Sequence, residues 1–334
     1  MQRLLHKLVI VTGFAAAKCI SLRAASEPEV AGSETLWSGL DPPNVQPLDL
    51  LATGENLRTA LQGRLPYILL GPEDSGTNLL EHIIESNWPG KFVSTNKANL
   101  LWKHSLWRNE IYDLLEREFK DLKRFPAFAA IRSPISQVAS WRKAPYDMKQ
   151  CVERNLNTMN TSCRVDLSAR PIGYRGFLES VNFRQTNFKQ FKSTMDVYNE
   201  YVRQYKHMGT EGRFKSFKMV LYEDMVFSPD KVVQELAAAL EVHVPQAVQL
   251  VDAPAKTAGK PVGREEALEK LLSRTYMEDM GQIGLKTLCP DLDVSLMEGL
   301  VEGSYLPLDE QTPYTADCDE LWKAASADDA GKHV

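Results

Sequence analysis

The stretch from Tyr67 to Leu80 constrains the fold of this chain more than any other. It has the order of a buried strand, a tight turn and the start of a helix. Leu65–Leu70 is a short apolar run of the kind found in central parallel strands, and Gly71 permits a sharp turn. The helix is predicted to begin near Ser75, where unpaired backbone N–H groups and the helix dipole favour an anion. The stretch therefore predicts a phosphate-binding turn.

The glycine spacing in this turn matches one class of nucleotide-binding loop only in part. Gly71 and Gly76 match the opening of a Walker A loop, which continues with Lys and then Ser or Thr. Thr77 occupies the Lys position. A P-loop kinase or nucleotide hydrolase is thereby disfavoured, whereas a cradle for another phosphate ligand is not. On this stretch alone, an ordinary strand–turn–helix in which Ser-Gly-Thr caps the helix is an equal alternative.

A second strand-to-helix junction runs from Phe128 to Trp141. Its small apolar run ends at Arg132, and Ser133 and Pro134 suit the cap and the first position of the next helix. Parallel sheets bind ligands at the carboxyl ends of their strands, so Arg132 is expected at that edge, with Ser140 about two turns along the helix. A guanidinium and a hydroxyl both donate hydrogen bonds to phosphate. The pair therefore predicts a site for a phosphate on a ribose.

Together these stretches resemble motifs of the sulfotransferase family, which uses 3′-phosphoadenosine 5′-phosphosulfate (PAPS). The family's 5′-phosphosulfate loop runs approximately Lys-Ser-Gly-Thr-Thr, and Ser75, Gly76 and Thr77 match its second to fourth places, with Asn78 in the last place. Its 3′-phosphate motif has the spacing of Arg132, Pro134 and Ser140. A third resemblance is the Tyr-Glu-Asp sequence within Val220–Met225, followed by Pro229 and an amphipathic pattern. Order and spacing agree over about residues 65 to 242.

The resemblance implies an α/β fold in which a P-loop-like central parallel sheet is flanked by helices, in one sulfotransferase domain over residues 63–310. It also implies that PAPS is the donor and that no metal is required, and no cysteine–histidine spacing indicates a zinc site. The reaction transfers a sulfuryl group to a hydroxyl or amine, with a carbohydrate or other hydroxylated compound as the expected acceptor. The net charge of −5 offers no basic footprint for nucleic acid.

His104 is the candidate base that removes the acceptor proton. It ends the apolar run Leu100–His104, which we interpret as a strand end. The run resembles the Lys-x-His of the cytosolic sulfotransferases without the intervening residue. The alternative is a surface histidine that closes a strand. Carbohydrate sulfotransferases often use Glu for the same task, so Glu81 and Glu110 are alternative bases.

Asp74 departs from the family pattern, because it aligns with the loop lysine that contacts the bridging oxygen of the donor. An anion there repels a phosphosulfate. Our hypothesis is that Lys103, beside the proposed base, supplies the missing charge as a second catalytic residue, with Lys97 as the other candidate. Two alternatives stay open. The first is that Asp74 points to solvent while backbone donors bind the anion. The second is that the protein has lost activity and kept a nucleotide site.

The N-terminus predicts targeting to the secretory pathway. Arg3 and Lys7 precede the apolar run Leu8–Ala17, and small residues follow, as in a signal peptide or an N-terminal membrane anchor over residues 1–26. The expected location is the Golgi lumen or the outside of the cell. An amphipathic transit peptide or a disordered leader is the alternative. The remaining predicted segments are a stem or linker and a flexible tail: residues 27–62 and 311–334.

Four cysteines follow the leader, and the economical pairing is Cys151 with Cys163 and Cys289 with Cys318. Sequence alone does not fix this connectivity, and free thiols in a reducing compartment are the alternative. Asn160-Thr161-Ser162 between the first pair has the pattern of an N-glycosylation acceptor. Further helices are predicted at three places: about residues 188–205, 264–272 and 294–301.

Overall fold

The structure is a computed structural model that describes residues 61–152, 159–170, 188–252, 263–300, 304–305 and 318. These residues all belong to one of the chain's two compact units, residues 50–334. The predicted leader lies outside the described residues, as do the linker before Leu61 and the tail apart from Cys318. Those predictions remain predictions.

Six strands occur in the described part of the chain: β1 (Leu65–Leu70), β2 (Phe92–Ser94), β3 (Pro126–Ile131), β4 (Cys163–Val165), β5 (Lys189–Phe191) and β6 (Ser216–Leu221). Four of them form a parallel sheet in the order β2-β1-β3-β6, and β4 pairs with β5 in a separate two-stranded antiparallel sheet. The predicted α/β class with a central parallel sheet is confirmed. β1 has the predicted bounds.

The α-helices within the described ranges are α1 (Thr77–Asn87), α2 (Arg108–Glu118), α3 (Pro134–Lys143), α4 (Thr194–Glu211), α5 (Tyr222–Phe227), α6 (Pro229–Leu240), α7 (Arg264–Leu272) and α8 (Thr275–Leu288). Short 3-10 turns lie at Leu122–Arg124, Tyr146–Met148, Cys289–Asp291 and Val294–Leu296. α7 has the predicted bounds. α8 is kinked at Gly281, where the backbone leaves the helical conformation.

Helices cover both faces of the sheet, which is why its central strands are apolar along their whole length. On one face, Tyr67 and Leu69 of β1 pack in one apolar cluster with residues of α1 and α6. On the other face, Tyr205 of α4 contacts the ring of Phe217 in β6, with 6.5 Å between the ring centroids. The loops of the site lie at the edge of the sheet where the parallel strands have their carboxyl ends.

Three secondary-structure predictions were wrong. The helix expected at 188–205 begins at Thr194, because the Ser193 hydroxyl accepts a hydrogen bond from the Asp196 amide and caps it. Residues 189–191 form β5 instead. The run Leu100–His104 is a turn and not a strand end, and the strand of that region is β2. In the segment predicted as a helix at 294–301, the described residues 294–300 form the 3-10 turn Val294–Leu296 and no α-helix.

Both predicted disulfides are present. Cys151 is bonded to Cys163, and Cys289 is bonded to Cys318. Disulfides persist in oxidising compartments, so the pairing favours a secretory-type environment. Within the described ranges, none of the helices has the length and apolar character needed to cross a membrane.

The strand order determines where a ligand is expected. From β1 the chain moves to β2 on one side, and then returns to β3 on the other side. The side on which the chain adds strands therefore reverses between β1 and β3. Open parallel sheets bind ligands in the crevice at such a point, outside the carboxyl ends of the strands. The two motifs singled out in the sequence follow these two strands.

Candidate functional site

The turn after β1 depends on glycine at its first position. Gly71 has φ 154°, and a Cβ placed there would lie 2.6 Å from the Ser75 Oγ and 2.7 Å from the Ala130 carbonyl oxygen. No other residue fits without a shift of the backbone. The Gly71 N–H donates to the Lys103 carbonyl oxygen at 2.9 Å, so the turn is also tied to the segment that carries both candidate catalytic residues.

The turn leads into α1 with the geometry of an anion cradle. Gly76, the N-cap, is in the left-handed conformation at φ 95°, and no side chain of the described residues caps the helix. The N–H groups of the first turn have no intrahelical partner and point out of the helix N-terminus. The Ser75 hydroxyl is fully buried and has no hydrogen-bond partner within the described part of the chain. The N–H groups at the N-terminus of α1 therefore suit a bound phosphate.

Arg132 leaves the carboxyl end of β3 and faces this cradle. Its Nε donates to the Ser136 Oγ at 2.7 Å, and its Nη1 donates to the Ser140 Oγ at 3.3 Å and to the Asp74 carbonyl oxygen at 3.5 Å. The guanidinium also lies over the ring of Tyr222, 4.4 Å from its centroid. The structure thus brings together the two motifs that the sequence predicted would share a site.

The Tyr-Glu-Asp motif after β6 supports both strand ends. Tyr222 packs so closely on the cradle that a Cβ on Gly76 would lie 2.8 Å from its ring. Glu223 is fully buried, and its carboxylate accepts the Ser133 N–H at 3.0 Å. The Tyr198 hydroxyl donates to the Arg132 carbonyl oxygen at 2.8 Å. The backbone from which Arg132 projects is therefore fixed on two sides.

Lys103 packs against the first turn of α1. Its ammonium group contacts the side-chain oxygen of Asn78 in the first turn of α1, and the residue is only 8% exposed. Burial lowers the pKa of the Lys103 ammonium, and the nearby Glu81 carboxylate opposes that change. The side chain nevertheless lines the same cavity as Arg132, so it is positioned to meet a ligand there.

His104 is held by hydrogen bonds at both its ring and its backbone. The Nδ1 atom lies 2.7 Å from the Gly71 carbonyl oxygen, and its own carbonyl oxygen accepts the Tyr201 hydroxyl at 2.7 Å. A carbonyl can only accept, so Nδ1 carries the hydrogen and the lone pair of the neutral ring is on Nε2. This tautomer leaves Nε2 as the atom that takes up a proton.

Arg170 holds the segment before His104 in place. Its guanidinium lies 4.3 Å from the ring centroid of Trp102 and pairs with Asp147 and Asp166, each at 3.2 Å. Its carbonyl oxygen accepts the Trp102 N–H at 2.6 Å. The Trp102 ring in turn meets the His104 ring edge to face, with centroids 5.4 Å apart. The histidine orientation therefore depends on a residue well outside the motifs.

The acidic residues near the site differ in how they are placed. Asp74, at φ 62°, lines the cavity, and its backbone carbonyl is turned towards Arg132. Glu81 is buried, accepts from the Ser94 hydroxyl and lines the cavity. Glu110 accepts the Ala169 N–H at 3.1 Å and is not a lining residue. Of the two alternative bases, only Glu81 therefore faces the site.

One cavity of about 430 Å³ joins these groups. The predicted site residues that line it are Gly76, Thr77, Asn78, Lys103, His104 and Arg132. Ser75 and Ser140 are buried behind the wall, and Ser140 acts on the site through Arg132. Sequence reasoning missed Tyr146 and Arg264, which also line the cavity. Neither belongs to a local motif, and the Arg264 Nε reaches the cavity wall by donating to the Val226 carbonyl oxygen at 3.0 Å.

Comparison of the chain with protein-family models, with curated proteins and with solved structures found no match. Function therefore has to be inferred from the site itself.

Proposed function

We propose that this protein is a PAPS-dependent sulfotransferase of the P-loop type. The observation that supports this most directly is the 3.5 Å approach of the Arg132 Nη1 to the Asp74 carbonyl oxygen, which puts the cradle and the arginine on one cavity. A nucleotide that carries phosphates at both the 5′ and the 3′ positions can bind the cradle with one phosphate and the arginine with the other. A nucleoside diphosphate or triphosphate has a use for the cradle alone.

The donor set fits the two ends of PAPS. The first-turn N–H groups of α1 suit the 5′-phosphosulfate. A guanidinium has five N–H donors, so Arg132 keeps donors for a 3′-phosphate beyond those it gives to Ser136, Ser140 and the Asp74 carbonyl oxygen. The two serines hold the guanidinium in one orientation.

Sulfuryl transfer breaks the bond between the sulfur and the bridging oxygen of PAPS while the acceptor oxygen bonds to the sulfur, and adenosine 3′,5′-bisphosphate leaves. Within this chain, the His104 Nε2 receives the acceptor proton, because Nδ1 is engaged by Gly71. The Lys103 ammonium offsets negative charge at the leaving oxygen. Its lowered pKa also makes it a stronger acid than an exposed lysine.

The acceptor offers a hydroxyl or amine, and a carbohydrate is the class we propose. The setting is the secretory pathway, in the Golgi lumen with an N-terminal anchor or outside the cell. The two disulfides support such an oxidising compartment.

Asp74 supports a second candidate, a relative that binds the nucleotide without catalysing transfer. The residue brings an anion into the cradle region, where the family pattern has a cation. A P-loop kinase or hydrolase remains the less favoured alternative, because Thr77 stands where such enzymes need Lys and is itself buried.

Calorimetric titration with adenosine 3′,5′-bisphosphate and with ADP separates these functions. We expect the bisphosphate to bind at least about tenfold more tightly than ADP, because one additional charged hydrogen bond contributes that difference in affinity. Labelled PAPS offered with a panel of glycans and phenols then tests transfer. Bisphosphate binding without transfer to any acceptor would indicate the non-catalytic relative, and a preference for ADP would contradict the proposed function.

A further inference from the structure

A short exposed turn projects from the protein between two buried ends. Met159 is fully buried and Cys163 is 6% exposed, whereas the three residues between them, Asn160, Thr161 and Ser162, are all exposed. The ends are fixed independently of the turn. The Met159 carbonyl oxygen accepts the Thr194 N–H at 3.0 Å, and Cys163 forms its disulfide with Cys151.

We propose that Asn160 carries an N-linked glycan. Asn160-Thr161-Ser162 has the acceptor pattern, and it is the only such tripeptide in the whole sequence. The asparagine lies in a solvent-exposed turn, where a bulky polar group can be attached without displacing buried atoms. The neighbouring Cys151–Cys163 disulfide indicates the oxidising compartment in which N-glycosylation takes place.

The co-reactant is a lipid-linked diphospho-oligosaccharide supplied by the cell. The Asn160 side-chain nitrogen forms a bond to the anomeric carbon of the first sugar, and the bond from that carbon to the diphosphate oxygen breaks. The lipid diphosphate leaves with the bonding electron pair, and the amide nitrogen loses one proton. No group is oxidised or reduced. The Ser162 hydroxyl supplies the third position that the acceptor pattern requires.

Asn160 is not one of the residues that line the nucleotide cavity. The other described residues between Cys151 and Cys163 do not line it either. Attachment at Asn160 and nucleotide binding are therefore separate properties of the protein.

The test is expression of the full chain in eukaryotic cells, followed by treatment with an enzyme that removes N-linked glycans. We expect the wild-type protein to migrate faster after treatment. Peptide mass spectrometry should show Asn160 converted to aspartate by the enzyme. Asn160→Gln and Ser162→Ala should both remove the shift, whereas Thr161→Ala should keep it, because the middle position accepts any residue except proline.

Two variants are used so that a folding defect in one does not decide the result. A wild-type chain that does not shift on treatment overturns the proposal, in whichever cell fraction it is recovered. A shift that survives in both Asn160→Gln and Ser162→Ala overturns it as well. Neither outcome bears on sulfuryl transfer, which is measured with PAPS and acceptors.

Discussion

The ammonium group of Lys103 contacts the side-chain oxygen of Asn78, so the first turn of α1 holds a lysine that belongs to a different segment of the chain. The loop itself has Asp74 where the family pattern has its lysine. Asn78 is also a departure, since the pattern ends in Thr. The two departures are consistent with each other, because the asparagine contacts a lysine that supplies positive charge from another segment of the chain.

Replacement of Lys103 by Ala should lower turnover far more than it weakens donor binding. Loss of one donor that stabilises a developing oxyanion costs roughly 10²-fold or more in turnover. Lys97→Ala is the matched control, because Lys97 also lines the cavity but is 40% exposed and is paired with Glu85. Steady-state kinetics together with bisphosphate titration measure both effects. A normal turnover number for Lys103→Ala would remove this residue from the mechanism, and a loss in the Lys97 variant would transfer the role to Lys97.

Replacement of Arg132 by Ala should discriminate between nucleotides. Removal of its charged hydrogen bonds should weaken adenosine 3′,5′-bisphosphate by about 1.5–3 kcal/mol per bond lost, which is tenfold or more in affinity. Adenosine 5′-monophosphate, which lacks the 3′-phosphate, should bind almost as before. Arg117→Ala serves as a control for loss of positive charge, because the exposed Arg117 donates to the Asp113 carbonyl oxygen of its own helix and does not line the cavity. Equal weakening of both nucleotides would contradict the 3′-phosphate assignment.

Much of the site was predictable because short sequence patterns determine its strands and the residues that follow them. Leu65–Leu70 and the residues before Arg132 are apolar runs that end at turns, so the strands and the residues at their tips follow from pattern alone. Arg264 was not predictable as a site residue, because only tertiary packing brings α7 to the cavity. α8 was missed since Gly281 and Gly284 interrupt its helical pattern.

The start of α4 was missed for a different reason. Phe188 and Phe191 continue the apolar spacing of the helix towards its N-terminus, but Phe188 is 39% exposed and Phe191 lies in β5. The Ser193-x-x-Asp196 pattern marked the true start, and the Asp196 carboxylate accepts the Lys192 N–H at 2.9 Å. A capping pattern of this kind outweighs apolar periodicity when the two disagree.

Replacement of Arg170 by Ala should destabilise the protein by roughly 2–4 kcal/mol, because it leaves two carboxylates together in a mostly buried position. The Arg170 side chain is 11% exposed and lies between Asp147 and Asp166. Arg203 provides a matched control, since it also pairs with two carboxylates but is 38% exposed. Arg203→Ala should cost less than about 1 kcal/mol. Urea unfolding of both variants measures the difference, and similar losses in the two would show that the buried position of Arg170 adds nothing.

Asp224 should make the stability of the protein depend on pH in the mildly acidic range. Burial raises the pKa of this carboxyl from its ordinary value of 3.8 to about 6, although its side chain accepts hydrogen bonds from the Ser304 hydroxyl and the Tyr305 N–H, both at 2.8 Å. A carboxyl whose pKa is higher in the folded state favours folding when it is protonated. Its contribution is therefore fully present below about pH 4 and is lost as the pH rises through about 6. Each pKa unit is worth about 1.4 kcal/mol, so the loss is at most about 3 kcal/mol.

Asp224→Asn should remove this dependence, because the amide carries no charge and its oxygen can still accept both hydrogen bonds. The variant should have nearly the wild-type free energy of unfolding at pH 4 and a higher one at pH 7.5, as measured by urea unfolding at the two pH values. Asp113→Asn, at an exposed position of α2, should follow the wild-type protein at both. An Asp224→Asn variant that is less stable than wild type at pH 7.5 would mean that the ionised carboxylate stabilises the contact with Ser304 and Tyr305 by more than its burial costs.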